Sequence, residues 1–268
     1  MKYVVCYSGG HASALCAVEA VRRYGRENVI LLNHGICGRV EDHDIQRFKD
    51  EVAAFLGLPI TPASMEGFEE KDQFDVCMEI KAFKCGNQST ALCTNRLKTE
   101  PFRLWLSENF PASQENPRED IVVLYGFSEQ EVNRINRRTE VMSSMGYKVD
   151  FPLVNWDRTI FAIEEIGIAR PSTYRFRKHA NCSGCLKGGK QAWYVTYCTD
   201  PEIFEKAKKA EEKIGHSILK GVFLCDIEAL FCDMKTAGVE PTELIPPARF
   251  WADAKKKVAE VRKERKAT

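Results

Sequence analysis

Long apolar runs are missing from this sequence, and so are internal repeats and low-complexity segments. A helix crossing a bilayer needs about 20 apolar residues in succession, so no spanning helix is expected. Charge of one sign is missing too. The 39 Lys and Arg nearly cancel the 38 Asp and Glu, leaving a net charge of +1. That excludes a uniformly basic nucleic-acid binder and leaves room for a local basic patch. The first residues carry no secretory signal pattern, and the Gly-x4-Gly-Lys-Ser/Thr spacing of a Walker A loop is absent. Cysteine, by contrast, is plentiful, with eleven in 268 residues. In an unexported chain these read as buried thiols, metal ligands or catalytic groups rather than disulfides, so a cytoplasmic location is expected.

What is present is organised around Val4–Leu15. A short Val-rich run reads as a buried strand, and the apolar spacing after Ser13 reads as a helix. Between them stand Ser8, Gly9, Gly10, His11 and Ser13. Glycine allows a sharp turn and close approach to a ligand. The first N–H groups of the following helix and its dipole favour an anion there. The pattern therefore predicts a phosphate cradle.

The spacing next predicts a strand over Asn28–Asn33, a helix over Asp44–Leu56 and a short strand near Leu58–Thr61. Strand and helix alternation implies a parallel sheet, with ligands beyond the carboxyl ends of its strands. Further helices are expected over Phe68–Phe83, Thr99–Asn109, Glu129–Met145, Asp157–Ile166 and Pro201–Ile214. A surface loop is expected over Ala112–Asp120, and strands over Ile121–Tyr125 and near Val149–Phe151. Composition changes near residue 168, so two parts are expected: a nucleotide-binding domain over 1–167, and a mainly helical region over 168–268 packed on it. The last twenty residues, from Arg249, hold eight Lys or Arg against three acidic residues.

Two stretches carry further chemistry. Cys182-Ser183-Gly184-Cys185 brings two thiols within reach of one metal, and the pattern alone leaves zinc, an iron–sulfur cluster and a redox dithiol open. Any metal needs further ligands; Cys93 and Cys198 lead, with Cys85 behind them. Cys6, Cys16, Cys225 and Cys232 sit among apolar residues and are expected as core thiols. The second stretch is Cys93–Pro101, which reads either as a capped helix start with a first-turn proline or as a thiol beside cations that would lower its pKa.

Taken in order, the Ser-Gly-Gly-x-x-Ser turn, Cys-Thr-x-x-Leu-Lys-x-x-Pro, Gly-Phe-Ser-Glu with Arg-x-x-Arg-Arg, and Asn-Cys-x-x-Cys-x-Lys-Gly-Gly resemble the PAPS reductase-like branch of the PP-loop ATP pyrophosphatase superfamily. That branch includes the sulfur-transfer proteins of DNA phosphorothioation. The resemblance covers about Lys2 to Tyr197. It implies an α/β, doubly wound, mostly parallel sheet of the Rossmann-like, adenine nucleotide alpha hydrolase-like kind, with the Cys-x-x-Cys loop in the C-terminal part. It also implies that Ser8, Gly9, Gly10, His11, Ser13, Asn33, Gly35, Gly126, Arg134 and Arg138 hold the nucleotide. Lys98, Arg137 and Cys93 would be catalytic, and Cys93, Cys182, Cys185 and Cys198 would hold a metal. Asn33 stands where the family often has Asp, which removes a charge from that position.

The expected activity is ATP-dependent sulfur transfer with Mg²⁺ and a 4Fe–4S cluster, or zinc in its place. An acceptor oxygen is adenylated and pyrophosphate leaves. The acceptor would be a nucleic acid, tRNA or DNA, or a nucleotide, and the sulfur would come from a donor protein. The basic stretch Arg170–Lys190, with Tyr174, Phe176, Trp193 and Tyr194 for stacking, and the tail Lys255–Lys266 would suit such an acceptor. One alternative is a sulfonucleotide reductase acting on PAPS or APS. The chain lacks that enzyme's Glu-Cys-Gly-x-His segment and the double Cys-Cys of cluster-bearing APS reductases. A second alternative is a zinc-stabilised, nucleotide-binding regulatory module without turnover.

Overall fold

The computed structural model describes residues 1–86 and 90–267, with side chains through 263. The expected basic tail therefore lies partly outside the described side chains. The chain forms two compact units: Met1–Ile36, His43–Glu69 and Leu97–Ser172 make the first, and Cys37–Asp42, Glu70–Arg96 and Thr173–Thr268 the second.

The first unit is built on five strands: β1 (Lys2–Cys6), β2 (Val29–His34), β3 (Ile60–Ala63), β4 (Arg118–Leu124) and β5 (Tyr147–Asp150). Their order is β3-β2-β1-β4-β5, and every pairing is parallel. Alternation along β1 explains the layers. Tyr3 and Val5 face one apolar cluster, with α1 (His11–Tyr24) and α2 (His43–Leu56). Val4 faces the other, with α5 (Glu100–Asn109) and α6 (Val132–Ser144). The result is an α/β unit with helices on both faces of a parallel sheet, a Rossmann-like doubly wound arrangement. The strand order reverses between β1 and β4, and such sheets bind ligands at that point.

The expected helix over Asp157–Ile166 is replaced by α7 (Pro152–Asn155), an irregular stretch and a 3-10 turn over Ile163–Ile166. The buried carboxylate of Glu19 accounts for the difference. It accepts from the Thr159 N–H at 2.7 Å and the Ile160 N–H at 3.0 Å, holding that backbone out of helical register. Glu165 does the same for Phe161 and Ala162 N–H, at 2.8 and 2.7 Å.

The second unit is helical among the described residues. It contains α3 (Gln73–Ile80), the single turn α4 (Leu92–Thr94), α8 (Lys190–Thr199), α9 (Pro201–Ile214), α10 (Leu224–Thr236) and α11 (Pro247–Ala267). α3 is shorter than the expected Phe68–Phe83 because a reciprocal cap starts it at Asp72. The Asp72 side chain accepts from Phe74 N–H at 2.9 Å and Asp75 N–H at 3.1 Å, and the Asp75 carboxylate accepts from Asp72 N–H at 3.1 Å. Trp193, Tyr194, Phe204 and Phe231 form this unit's aromatic centre. Trp193 and Tyr194 are 1% and 0% exposed, so neither ring is available to stack on bases. Cys225 and Cys232 are exposed rather than in the core. The buried face of α10 is Leu224, Ile227, Phe231 and Met234, and each cysteine follows a buried residue by one position, off that face.

Candidate functional site

The turn after β1 has the expected form. Gly9 lies at φ +79°, the left-handed region that glycine occupies without strain. A Cβ there would also come within 2.7 Å of the Lys49 side chain. Gly10 caps α1 in extended conformation with no side-chain cap. The first-turn N–H groups of this 14-residue helix therefore point into the turn with no partner inside the helix. The Ser13 hydroxyl donates to Gly10 O at 2.8 Å, and Ser8 Oγ donates to Ser13 Oγ at 3.3 Å.

Neighbouring strands hold this turn in place. Tyr7 N–H donates to Leu32 O at 2.9 Å. The Asn33 side-chain amide donates to Tyr7 O at 2.6 Å, so at the end of β2 an amide ties two strand ends together and offers no carboxylate for a metal. Gly126, just after β4, packs against the start of α1. A Cβ there would sit 2.5 Å from Ala12 O and 3.0 Å from Ser13 N. Gly35 N–H reaches Ala63 O at 3.4 Å, and a Cβ on Gly35 would make only ordinary contact, 3.5 Å from Ser64 Cβ. The His11 ring accepts from Ile163 N–H at 3.2 Å, and burial with Arg170 nearby lowers its pKa.

Three cations act on the carboxyl ends of β1 and β2. Burial pushes the Cys6 thiol up to about 11, against the opposing pull of Arg138, Lys98 and Arg134. Burial, then Lys98 and Arg138, hold the His34 ring down at about 3. Cys6 Sγ lies 3.5 Å from His34 Nε2. Among the described residues, His34 Nδ1 is buried with no hydrogen-bond partner, and the buried Tyr125 hydroxyl has Arg138 near it. The Arg138 guanidinium lies over the Tyr125 ring at 5.0 Å, and that of Arg134 over Phe127 at 4.3 Å. Arg134 also pairs with Glu131. Arg137 is exposed and is not among the cations acting on Cys6 or His34. The edge thus combines positive charge, neutral donors and a helix start, a set suited to phosphate oxygens.

The thiols of the second unit form a separate picture. Ser183 N–H donates to Val40 O at 2.8 Å, and the Gln73 amide donates to Ser183 O at 2.7 Å, fixing the Cys182–Cys185 turn. Cys77 lies near Cys93 and Cys85, and burial pushes its thiol up to about 12. Cys198 lies against the Tyr194 hydroxyl, with Lys235 nearby, and burial raises its pKa. Among the described residues, no three His, Cys, Asp or Glu side chains are grouped so that one ion could be held. A centre shared by Cys93, Cys182, Cys185 and Cys198 does not fit that arrangement.

Sequence reasoning passed over Lys49, whose side chain covers Gly9, and Tyr125, whose hydroxyl is buried near Cys6. Cys6 packs against an apolar cluster, as expected of a core thiol, and also stands beside His34. No family model, curated protein or solved structure matches this chain.

Proposed function

We propose that this chain binds an adenine nucleotide at the turn after β1 and transfers its adenylyl group to an acceptor, releasing pyrophosphate. The observation that carries the reading is the gathering of Lys98, Arg134 and Arg138 around the ends of β1 and β2, next to the Gly9–Gly10 helix start. In finer terms the fold is read as adenine nucleotide alpha hydrolase-like, a reading that rests on the motif resemblance.

The chemistry follows from where charge moves. An acceptor oxygen attacks the α-phosphorus and loses its proton to solvent. The bond from that phosphorus to the bridging oxygen breaks, and pyrophosphate leaves with the electron pair. Negative charge grows on the phosphate oxygens, where fixed N–H groups and cations act most strongly. The first turn of α1, with Ser8 and Ser13, orients the phosphates, while Lys98, Arg134 and Arg138 balance the charge. Each charge-assisted hydrogen bond contributes about 1.5–3 kcal/mol. Magnesium would arrive with the nucleotide and neutralise the leaving pyrophosphate.

The use of the activated acceptor, sulfur transfer to a nucleic acid or nucleotide, rests on the resemblance. The thiols it points to are Cys182 and Cys185. Since the described donors do not group around one ion, no step is routed through a cluster. Exchange of labelled pyrophosphate into ATP, screened with tRNA, DNA and nucleotides as acceptors, tests the adenylation. Exchange that depends on an acceptor supports it. Sulfite released from PAPS or APS without exchange replaces it with sulfonucleotide reduction.

A further inference from the structure

The second unit contains a cavity of about 220 Å³, lined among others by Arg177, Cys185, Lys187, Gly189 and Trp193. One wall is the start of α8, a ten-residue helix that Gly189 caps in extended conformation with no side-chain cap. The ladder opens with Trp193 N–H on Gly189 O at 3.1 Å, so the N–H groups of the turn before it have no partner within the helix. The turn leading in is already satisfied, because Gly188 N–H donates to Cys185 O at 2.8 Å.

A second feature is independent of the helix start. Trp193 is 1% exposed, and its indole Nε1 is buried with no hydrogen-bond partner among the described residues. That nitrogen lies against Gly188, 3.8 Å from where a Cβ would stand. A buried donor left unpaired is destabilising, and indole nitrogen can only donate. The group that would satisfy it must therefore be an acceptor.

The surrounding charge selects the acceptor's sign. Arg177 and Lys187 line the cavity with the exposed His179. The one carboxylate among the lining residues, Glu243, is 3.6 Å from Arg177, which is also 3.2 Å from Asp200. The cavity has room for one tetrahedral oxyanion with a few waters.

We propose that the Gly188–Trp193 corner binds a free tetrahedral oxyanion of the phosphate or sulfate kind. Trp193 Nε1 and the first turn of α8 donate to it, and Lys187 supplies charge. None of these residues belongs to the first unit, so the site stands or falls apart from the adenylation reading.

The test follows the Trp193 indole N–H by ¹⁵N–¹H NMR, its peak assigned by its loss in Trp193→Phe. Inorganic phosphate and sulfate are titrated against chloride at matched ionic strength. A saturable shift with phosphate or sulfate and none with chloride is expected, with affinity falling at least threefold in Lys187→Gln. Calorimetry on Trp193→Phe should show about a tenfold loss of phosphate affinity. No saturable shift, an equal shift with chloride, or undiminished affinity in Lys187→Gln overturns the site. A shift seen only with a phosphorylated oligonucleotide overturns the free oxyanion. Because Lys187 is exposed, phosphate calorimetry on wild type and Lys187→Gln, which needs no peak assignment, keeps the test decisive even if Trp193→Phe fails to fold.

Discussion

Replacing Gly126 by alanine probes the link between the sheet and the nucleotide turn. The added methyl would stand 2.5 Å from Ala12 O and 2.7 Å from Ala12 C, where ordinary contact begins near 3.4 Å. The helix start or the β4 end must therefore move by about 0.9 Å. The obstacle is helical backbone, which cannot rotate aside as a side chain can. Overpacking of a tight contact costs about 1–3 kcal/mol, and a backbone obstacle puts Gly126→Ala near the upper end, about 2–3 kcal/mol. At about 2 °C per kcal/mol for a chain of this size, thermal unfolding should fall by about 5 °C. The same displacement moves the N–H groups that would hold phosphate, so ATP affinity by calorimetry should fall at least tenfold. Unchanged melting together with unchanged affinity would refute the reasoning. Lost stability with intact affinity would detach the α1 start from the nucleotide.

Further outcomes follow from the same geometry. Lys98→Ala should slow acceptor-dependent pyrophosphate release about tenfold or more with little change in melting, whereas Arg137→Ala should leave the rate near wild type. Both are read by a coupled pyrophosphate assay. The His34 ring takes a proton only near pH 3 in the folded chain, against 6.5 as its ordinary value. The unfolded chain thus binds more protons in that window, and stability falls as pH drops through it, by up to about 1.4 kcal/mol per pH unit. Urea titrations at pH 6.5, 5 and 4 should show a shallower loss in His34→Gln. With its thiol pushed up to about 11, Cys6 should react with iodoacetamide only slowly at pH 8, as peptide mass spectrometry would record. Because Cys198 lies against Tyr194 rather than in a group of metal donors, Cys198→Ala should leave the iron and zinc content of the purified protein unchanged.

Local patterns carried the first unit well. Val4 and Val5 before two glycines, and the i, i+3, i+4 spacing after them, predict β1, the turn and α1, and those are the observed elements. Sequence gave less guidance where distant groups decide the backbone. Nothing near Thr159 announces that a carboxylate on α1 would take its N–H and prevent a helix. Aromatic residues in the basic stretch look like stacking platforms by type alone. Only the packing of Trp193 on Phe204, and of Tyr194 on Phe231, reveals that two of them are core. Arginine position on α6 was equally hidden. Arg134 and Arg138, four apart, share a helix face and act on Cys6, while Arg137 between them does not. The thiol sets show the same limit: Cys77 approaches Cys93 and Cys85 through folding, not through spacing.

The most direct measurement of the central claim is calorimetric titration of a non-hydrolysable ATP analogue into the wild-type protein and into Lys98→Ala/Arg138→Ala. One-to-one binding by the wild type, weakened at least tenfold in the double variant with its fold intact, is the predicted result. No binding by the wild type, or equal affinity in both proteins, would contradict a nucleotide site at the end of β1.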